Sequence, residues 1–338
     1  DLGSVPGAAV SSPDGLTLYG PPNPLIEDLD ALPMPARHLV DNRRYTSVLG
    51  RGRYLTTIMS SRGCPARCIF CDRPHLGKRF RSRSAANVVD EMQHCADAFG
   101  IEEFFFYDDT FTIDKARVLD ICRAIEERGL KTYWDIRARV STMDREMVRA
   151  LRNAGCCRIH LGIESGNAQV LKTMRKGLNL EKARDVFRWC RREGIETLAY
   201  FMIGSPGEGV AEIRDTIGYA LSLDCDYIHA SVTTPFPGTA LYRMGLEQGL
   251  YETDHWAGFA RDPRPEFVPP LWEKELPRDE LVRYLFLLYR KFYRRPGYLV
   301  RRALKVRSFR ELRVKAKAAA RLLLPRRQGR RGNAERKK

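Results

Sequence analysis

The sequence has no apolar run that approaches the roughly 18 residues needed to cross a membrane. Its densest apolar stretch, residues 198–203, has the length of one strand. The start shows no signal-peptide pattern and no Met, and we expect the chain to be a piece of a longer protein that lacks an N-terminal part. With 338 residues, 43% of them hydrophobic and 30% charged, the composition predicts one sizeable core of roughly 200–250 residues plus an appendage.

Acidic residues are scarce at the C-terminal end. Residues 290–338 contain 20 Lys and Arg but only two acids, whereas the rest of the chain has 38 basic and 40 acidic residues. The excess positive charge lies only in this tail, so an anionic partner is expected to bind there and not at the rest of the chain. The tail is interpreted first as a solvated helical face and second as a surface for anionic membranes. Nucleic acid is the least favoured partner, because no aromatic residue follows Phe309.

Nine cysteines are too few for a disulfide scaffold in a chain of this length. Most lie in apolar, periodic segments, where a reduced cysteine behaves as a small hydrophobic residue. We predict buried positions on helix faces for Cys95, Cys122, Cys190 and Cys225. Cys156 and Cys157 are predicted to be packing residues just before a strand.

Cys64, Cys68 and Cys71 stand apart, because they fall within eight residues of a loop that also contains Gly, Pro and Arg. Such a cluster indicates a metal site. Three thiolates can hold three irons of a [4Fe–4S] cluster and leave the fourth iron open for chemistry. The alternative is structural zinc, with His75 completing a Cys3His set.

From residue 54 onward, short apolar runs alternate with helical stretches, which is typical of β/α units around a parallel sheet. Six units predict an α/β fold, an incomplete (β/α)6 TIM-like barrel with a C-terminal helical extension, whose site lies at the C-terminal strand ends. The predicted strands are 54–60, 101–107, 132–137, 158–163, 198–203 and 227–232. The predicted helices are 84–99, 114–128, 144–153, 180–193, 211–223, 239–248, 278–294 and 296–324.

Four regions follow from this pattern. Residues 1–50 are rich in Pro and Gly and are predicted to be a linker, the remnant after a missing N-terminal domain. The core barrel is placed at 51–240 and a mostly helical extension at 241–325, with 251–276 irregular. Residues 326–338 are predicted to be a basic, disordered tail.

The loop around the three cysteines resembles the C-x3-C-x-φ-C motif of the radical S-adenosylmethionine (SAM) superfamily, in which φ is aromatic. The resemblance extends from about residue 54 to 239. It implies that the open iron chelates the amino and carboxylate groups of SAM. It also implies that an electron from the cluster cleaves SAM to a 5′-deoxyadenosyl radical, and that Phe70 lies against the adenine.

The resemblance further implies SAM contacts at the ends of the following strands. Asp108 and Asp109 stand where the family holds the SAM ammonium, often with a Gly-Gly-Glu sequence. Because this chain has Asp-Asp instead, the alternative that Asp109 only caps a turn stays open. Glu164 and Ser165 are implied to contact the ribose or methionine part. Arg139, favoured over Arg137, is the candidate partner of the SAM carboxylate. Gly204 begins the glycine-containing segment through which backbone approaches the adenine.

Residues 25–35 resemble the linker after a cobalamin-binding domain in one branch of the family. That branch includes anaerobic Mg-protoporphyrin monomethyl ester cyclases and cobalamin-dependent methyltransferases. The resemblance makes cobalamin a candidate third cofactor and implies a small-molecule, lipid or tetrapyrrole-like substrate. Flavodoxin or ferredoxin is the expected electron donor, and the expected location is cytoplasmic with peripheral membrane contact.

The leading hypothesis is a radical SAM oxidoreductase or methyltransferase that oxidises, cyclises or methylates an organic substrate. One rival is a tRNA-modifying methylthiotransferase, which normally has a second cysteine trio and a small RNA-binding domain. The other rival is a zinc-stabilised module that binds nucleic acid through the tail.

Overall fold

The computed structural model describes residues 2–11, 17–72 and 77–304. His75 and the predicted disordered tail lie outside these residues. Ten strands occur in the described ranges. They are β1 (Ala9–Ser11), β2 (Thr17–Tyr19), β3 (Leu55–Ile58), β4 (Ser61–Arg62), β5 (Arg81–Ser82), β6 (Glu103–Phe106), β7 (Tyr133–Ala138), β8 (Cys156–Glu164), β9 (Glu196–Ile203) and β10 (Tyr227–Val232).

Six of these strands form one sheet in the order β10-β9-β8-β7-β6-β3, and every neighbouring pair is parallel. Within this sheet, each strand is paired with the sheet strand that follows it in the sequence. The two outer strands, β3 and β10, do not pair with each other. The predicted fold class, an incomplete barrel of six units, is confirmed.

Helices connect the strands and cover the outer face of the sheet. Asp114 and Asp144 show why helices begin where they do, because each side chain accepts a hydrogen bond from a backbone N–H three residues on. The helices are α1 (Ala85–Phe99), α2 (Lys115–Glu127), α3 (Arg145–Asn153), α4 (Ala168–Thr173), α5 (Leu180–Arg192), α6 (Val210–Ser222), α7 (Ala240–Glu247), α8 (His255–Arg261), α9 (Arg278–Tyr293) and α10 (Pro296–Leu304).

Four local features differ from the predictions. The short helix α4 was not predicted, and α8 lies in the region expected to be irregular, where its N-cap Asp254 accepts from the Ala257 N–H. Cys156 and Cys157 are the first residues of β8 rather than a segment before it. Cys225 is buried, but in the connection between α6 and β10 and not on a helix face. The part of the final predicted helix beyond Leu304 lies outside the described residues.

The burial of the six cysteines away from the loop is confirmed. All nine cysteines lie in the described ranges, and none is in a disulfide. Burial raises the pKa of the Cys95 thiol to about 11 and that of Cys190 to about 12. These thiols therefore stay protonated and behave as apolar core groups.

Tyrosine side chains of α9 cover the outer edge of β10. The Tyr293 hydroxyl accepts a hydrogen bond from the Ile228 N–H (3.1 Å) and donates to the Ile228 carbonyl (3.0 Å). The Tyr289 hydroxyl does the same at Ala230, at 2.8 and 3.0 Å. The two rings are one helical turn apart and stack at 6.2 Å. Four backbone groups that a neighbouring strand would use are thereby paired.

The opposite edge, β3, is covered by the N-terminal segment. Arg37 donates through Nη2 to the Thr57 carbonyl (2.7 Å) and forms an ion pair with Glu91 of α1 at 2.6 Å. Both charged side chains are buried, at 9% and 1% exposure. The segment predicted as a linker thus contains a fixed attachment to the barrel, besides the short hairpin β1–β2.

A buried ion network lies near the amino ends of the strands, opposite the cysteine loop. Arg158 of β8, 1% exposed, contacts Asp135 of β7 at 3.4 Å and Glu196 of β9 at 3.3 Å. Arg302 of α10 approaches Glu196 from outside at 3.2 Å. The network joins three strands to the last described helix, so the C-terminal extension is part of the barrel's support.

Candidate functional site

The cysteine loop leaves the sheet at the carboxyl end of β3 and is closed at its base. Strand β4 pairs antiparallel with β5, with Ser61 opposite Ser82. Between them, Gly63 has a φ of +85°, and a Cβ there would lie 2.2 Å from the Arg79 carbonyl oxygen. Only glycine fits this turn without displacing backbone. The local sequence therefore fixes the direction in which Cys64 leaves the strand.

Hydrogen bonds and apolar contacts hold the middle of the loop. The Ile69 N–H donates to the Met174 carbonyl (3.1 Å), and the Leu241 N–H donates to the Ile69 carbonyl (2.9 Å). Ile69 belongs to a second hydrophobic cluster, against which Phe70 packs, and that cluster includes Met174, Leu241 and Trp272. Residues of the C-terminal extension thus support the loop.

The three cysteines of the loop border one cavity of about 200 Å³. Cys64 and Cys68 are buried, whereas Cys71 is exposed. Arg139 donates from Nη1 to the Cys68 sulfur at 3.5 Å, and the Thr110 hydroxyl lies 3.7 Å from the Cys64 sulfur. Among the described residues, no three His, Cys, Asp or Glu side chains converge as a single-ion site requires.

These contacts suit a [4Fe–4S] cluster. Its thiolate ligands each bind a different iron, and donors to their sulfur atoms stabilise the charge. Arg139 is such a donor to the Cys68 sulfur, and the cavity lining offers three thiols for four irons.

Four predicted SAM contacts, Phe70, Asp109, Arg139 and Glu164, border the same cavity. They come from the cysteine loop and from the ends of β6, β7 and β8, as expected for parallel strands. Glu164 closes β8 with a φ of +71°, which is unusual for a residue with a side chain. A register shift in the pairing of β8 with β9 accompanies it.

Asp108 does not border the cavity, contrary to expectation. It is fully buried, and its carboxylate accepts hydrogen bonds from the Ser60 N–H (2.7 Å) and from the hydroxyls of Ser60 and Ser61 (both 2.6 Å). Successive residues of an extended chain point to opposite sides. Only one residue of the pair can face the cavity, and Asp108 instead fixes the strand end that leads into the cysteine loop.

Ser165 and Gly204 are also absent from the cavity lining. The Ser165 hydroxyl is buried 2.9 Å from the Thr216 hydroxyl. Gly204 has a φ of +79°, and its N–H donates to Glu208 at 2.7 Å. Both residues belong to the framework that supports the ends of β8 and β9.

Glu208 is the centre of this framework. One carboxylate oxygen accepts from the N–H groups of Gly204 and Ser205, and the other accepts from the hydroxyls of Thr216 (3.1 Å) and Ser165 (3.5 Å). Burial raises the pKa of Glu208 to about 7, despite these four hydrogen bonds. Because the folded pKa lies above the usual value of 4.5, folding favours the protonated form.

In the wild type, the Glu208 carboxyl should contribute its full stabilisation below about pH 4.5. This contribution to the free energy of unfolding should decrease as the pH rises to about 7. The loss should be on the order of 3 kcal/mol. In Glu208→Gln, the amide oxygen accepts from the same two N–H groups and the NH2 donates to the two hydroxyls. The pH-dependent loss should therefore disappear, as measured by urea unfolding between pH 4.5 and 7.5.

Glu208→Ala is the matched comparison, because it removes the hydrogen bonds altogether. It should cost about 2–3 kcal/mol at pH 4.5, and this cost should shrink toward pH 7, because the wild type loses its Glu208 contribution there while the alanine variant has none to lose. An equal slope of stability with pH in the wild type and in Glu208→Gln would contradict the assignment.

Several lining residues were not predicted from the sequence. Lys176 pairs with Glu164 at 2.7 Å, both buried, and its ammonium lies 5.9 Å from the Phe70 ring. A Cβ on Gly162 would lie 2.4 Å from the Glu164 carboxylate, so a larger residue at that position would displace the pair from this geometry. His160 and Tyr200 also border the cavity. The alternation of β8 and β9 places them on the barrel interior, and this was the only sequence signal available.

Comparison with known proteins gives a consistent result. Residues 58–220 match the family model for the radical SAM superfamily. An uncharacterized methyltransferase of Pyrococcus horikoshii is 32% identical over 83% of this chain and 60% of its own length. The anaerobic magnesium-protoporphyrin IX monomethyl ester cyclase of Rubrivivax gelatinosus is 25% identical over 88% of the chain and 53% of its own length.

Solved structures agree with these relatives. The radical SAM methyltransferase TsrM of Kitasatospora setae, with cobalamin and a [4Fe–4S] cluster bound, superposes with a TM-score of 0.60 and 25% identity. The match covers 73% of this chain and 50% of TsrM. The chain thus spans between half and 60% of the length of these proteins. The two rival hypotheses, a methylthiotransferase and a zinc module, are not favoured. Residues 58–220 therefore form a domain of the radical SAM superfamily.

Proposed function

We propose that this chain cleaves SAM reductively at a [4Fe–4S] cluster and directs the resulting radical to a small organic substrate, for oxidation, cyclisation or methyl transfer. The observation that carries the proposal is the shared cavity, in which three thiols border the same space as Asp109, Arg139 and the Glu164–Lys176 pair. A cluster bound by Cys64, Cys68 and Cys71 would supply the electron for the cleavage.

The charged side chains around the cavity suit an amino acid group with both signs of charge. Carboxylates of Asp109 and Glu164 suit the ammonium of SAM, and the cations of Arg139 and Lys176 suit its carboxylate. Phe70 offers the apolar ring beside the cluster ligands. These five side chains are the proposed SAM contacts, while Asp108, Ser165 and Gly204 support them from behind.

The test is anaerobic reconstitution with iron and sulfide, followed by SAM and dithionite. We expect the broad visible absorbance of an iron–sulfur cluster and time-dependent formation of 5′-deoxyadenosine. A protein that takes up one zinc ion per chain, shows no such absorbance and leaves SAM intact would contradict the proposal.

Cobalamin is the proposed third cofactor, because the structure of TsrM holds it together with the cluster. A tetrapyrrole-like compound is one proposed substrate class, in line with the cyclase similarity. Flavodoxin or ferredoxin is the proposed electron donor. Adding hydroxocobalamin to the reconstituted protein and following its absorbance tests the first of these directly.

Peripheral contact of a cytoplasmic protein with anionic membranes is the finer proposal on location. No described helix is long and apolar enough to span a bilayer. On α10, which lies within the basic tail of residues 290–338, Leu299, Val300 and Leu304 are 51%, 60% and 82% exposed. Such a pattern suits an interfacial helix. Co-sedimentation with vesicles of phosphatidylserine and with vesicles of phosphatidylcholine alone distinguishes anionic binding from none.

A further inference from the structure

A chain of hydrogen bonds crosses three strands at the wall of the cavity. His160 of β8 lies with Nδ1 2.9 Å from the Tyr200 hydroxyl of β9 and with Nε2 3.3 Å from the Asp135 carboxylate of β7. His160 and Tyr200 border the same cavity as the three cysteine ligands. None of these three residues belongs to the cluster loop or to the proposed SAM contacts.

The direction of each hydrogen bond follows from the partner at the far end. Asp135 lies 3.4 Å from the Arg158 guanidinium, and its carboxylate can only accept. His160 therefore carries its proton on Nε2, which leaves Nδ1 as an acceptor. The Tyr200 hydroxyl then donates to Nδ1. Burial raises the pKa of Tyr200, so the hydroxyl keeps this proton at neutral pH.

With its proton committed to His160, the Tyr200 oxygen offers only lone pairs to the cavity. Aromatic groups flank this acceptor. The His229 ring lies edge-on to Tyr200 at 5.5 Å, and the Arg137 guanidinium covers the Tyr107 ring at 3.9 Å. Tyr107 is half exposed and His229 is exposed. Neither borders the cavity itself, whose lining includes Arg137, His160 and Tyr200. Flat aromatic and guanidinium surfaces suit a planar ligand.

We propose that Tyr200 is a substrate-binding residue that accepts a hydrogen bond from an N–H or O–H group on a planar substrate. His160 and Asp135 are positioning residues, which act by fixing the orientation of the Tyr200 hydroxyl. This inference rests on the proposed function, because it takes the space beside the cluster ligands as the substrate site. It defines a substrate class by chemistry: a conjugated ring that carries a hydrogen-bond donor.

The first test measures the tautomer of His160 in the apo protein by long-range ¹H–¹⁵N NMR, with ¹⁵N-labelled histidine. The sequence has six histidines, and a His160→Gln variant assigns the signal. We expect the proton on Nε2, and we expect the Nδ1 resonance to shift in Tyr200→Phe. Tyr219→Phe is the matched control, because its hydroxyl donates to the Leu180 carbonyl elsewhere. A proton on Nδ1, or on both nitrogens at pH 7.5, would overturn the inference.

The second test compares two planar probes, indole and benzofuran, which have nearly the same shape and differ in the N–H donor. Binding is measured by calorimetry on the reconstituted protein with SAM and without reductant. Wild type and Tyr219→Phe should bind indole about fivefold more tightly, the effect of one net hydrogen bond. In Tyr200→Phe the two affinities should be equal. No preference in the wild type, no binding of either probe, or a preference that survives in Tyr200→Phe would overturn the inference.

The two experiments separate this inference from the proposed function. Failure of the cluster to form and of SAM to be cleaved would refute the proposed function, while the NMR measurement on the apo protein would still report the hydrogen-bond direction. A normal cluster and normal SAM cleavage, combined with a failed probe test, would refute only the role of Tyr200.

Discussion

Replacement of Cys68 by alanine is expected to lower the rate of 5′-deoxyadenosine formation by more than about a thousandfold, the scale seen when one member of a functional unit is removed. Cys68 is buried, borders the cavity and accepts a hydrogen bond from Arg139 at 3.5 Å. Without its thiolate, one iron of the cluster loses its protein ligand. Iron and sulfide content after anaerobic reconstitution should fall together with the rate.

Cys190→Ala is the matched control. Cys190 is fully buried in α5, remote in sequence from the loop, and burial keeps its thiol protonated. The loss of one buried sulfur should cost about 1 kcal/mol of stability, while cluster content and SAM cleavage should stay within about twofold of wild type. Full cluster content and activity in Cys68→Ala, or their loss in Cys190→Ala, would contradict the assignment of the ligands.

Arg158→Ala is expected to lower the free energy of unfolding by about 3–5 kcal/mol, because it leaves buried carboxylates without their cation. Arg158 is 1% exposed and contacts both Asp135 and Glu196. Burial would raise the pKa of Glu196, but Arg158, followed by Arg302 and Arg51, holds it below its usual value. The stability contributed by ionised Glu196 is therefore present above about pH 4.5 and is lost as the pH falls through its folded pKa.

Arg283→Ala is the control for Arg158→Ala. Arg283 is 68% exposed and pairs with Glu280 at 3.7 Å on the surface of α9. Its loss should cost less than about 0.5 kcal/mol. The measurement is urea unfolding at pH 7, followed by circular dichroism. The penalty for Arg158→Ala should shrink when Glu196→Gln is added, since the second change removes one of the orphaned charges. Equal costs for the two arginines would show that the buried network does not stabilise the fold.

The sequence predicted the parts of the fold and site that depend on local signals. Strand-sized apolar runs predicted all six strands of the sheet, and β10 was predicted at its observed bounds. Asp114 and Asp144 marked the starts of α2 and α3, because capping is a contact within three residues. The spacing of the cysteines predicted a metal loop for the same reason, since the loop provides all three thiols.

Features that depend on distant contacts were not predictable. Asp108 and Asp109 have the same local sequence signal, and only the exit direction of the chain from β6 decides that Asp109 borders the cavity. Lys176 pairs with Glu164 at the point where the pairing of β8 with β9 shifts register, and a regular alternation pattern does not predict such a contact. Ser165 and Gly204 were placed at the correct strand ends, but Glu208 and Thr216, from the next unit, turn them away from the cavity.

The tyrosines at the edge of β10 disfavour edge-to-edge association between copies of this protein in a concentrated solution. A barrel that stops at six strands has two borders on which a foreign β-segment is able to assemble, and such borders are the usual starting points of aggregation. Here the hydroxyls of Tyr289 and Tyr293 occupy one border, and the guanidinium of Arg37 occupies part of the other. The barrel can therefore remain open between β3 and β10 while both borders offer fewer free backbone groups to a neighbouring strand.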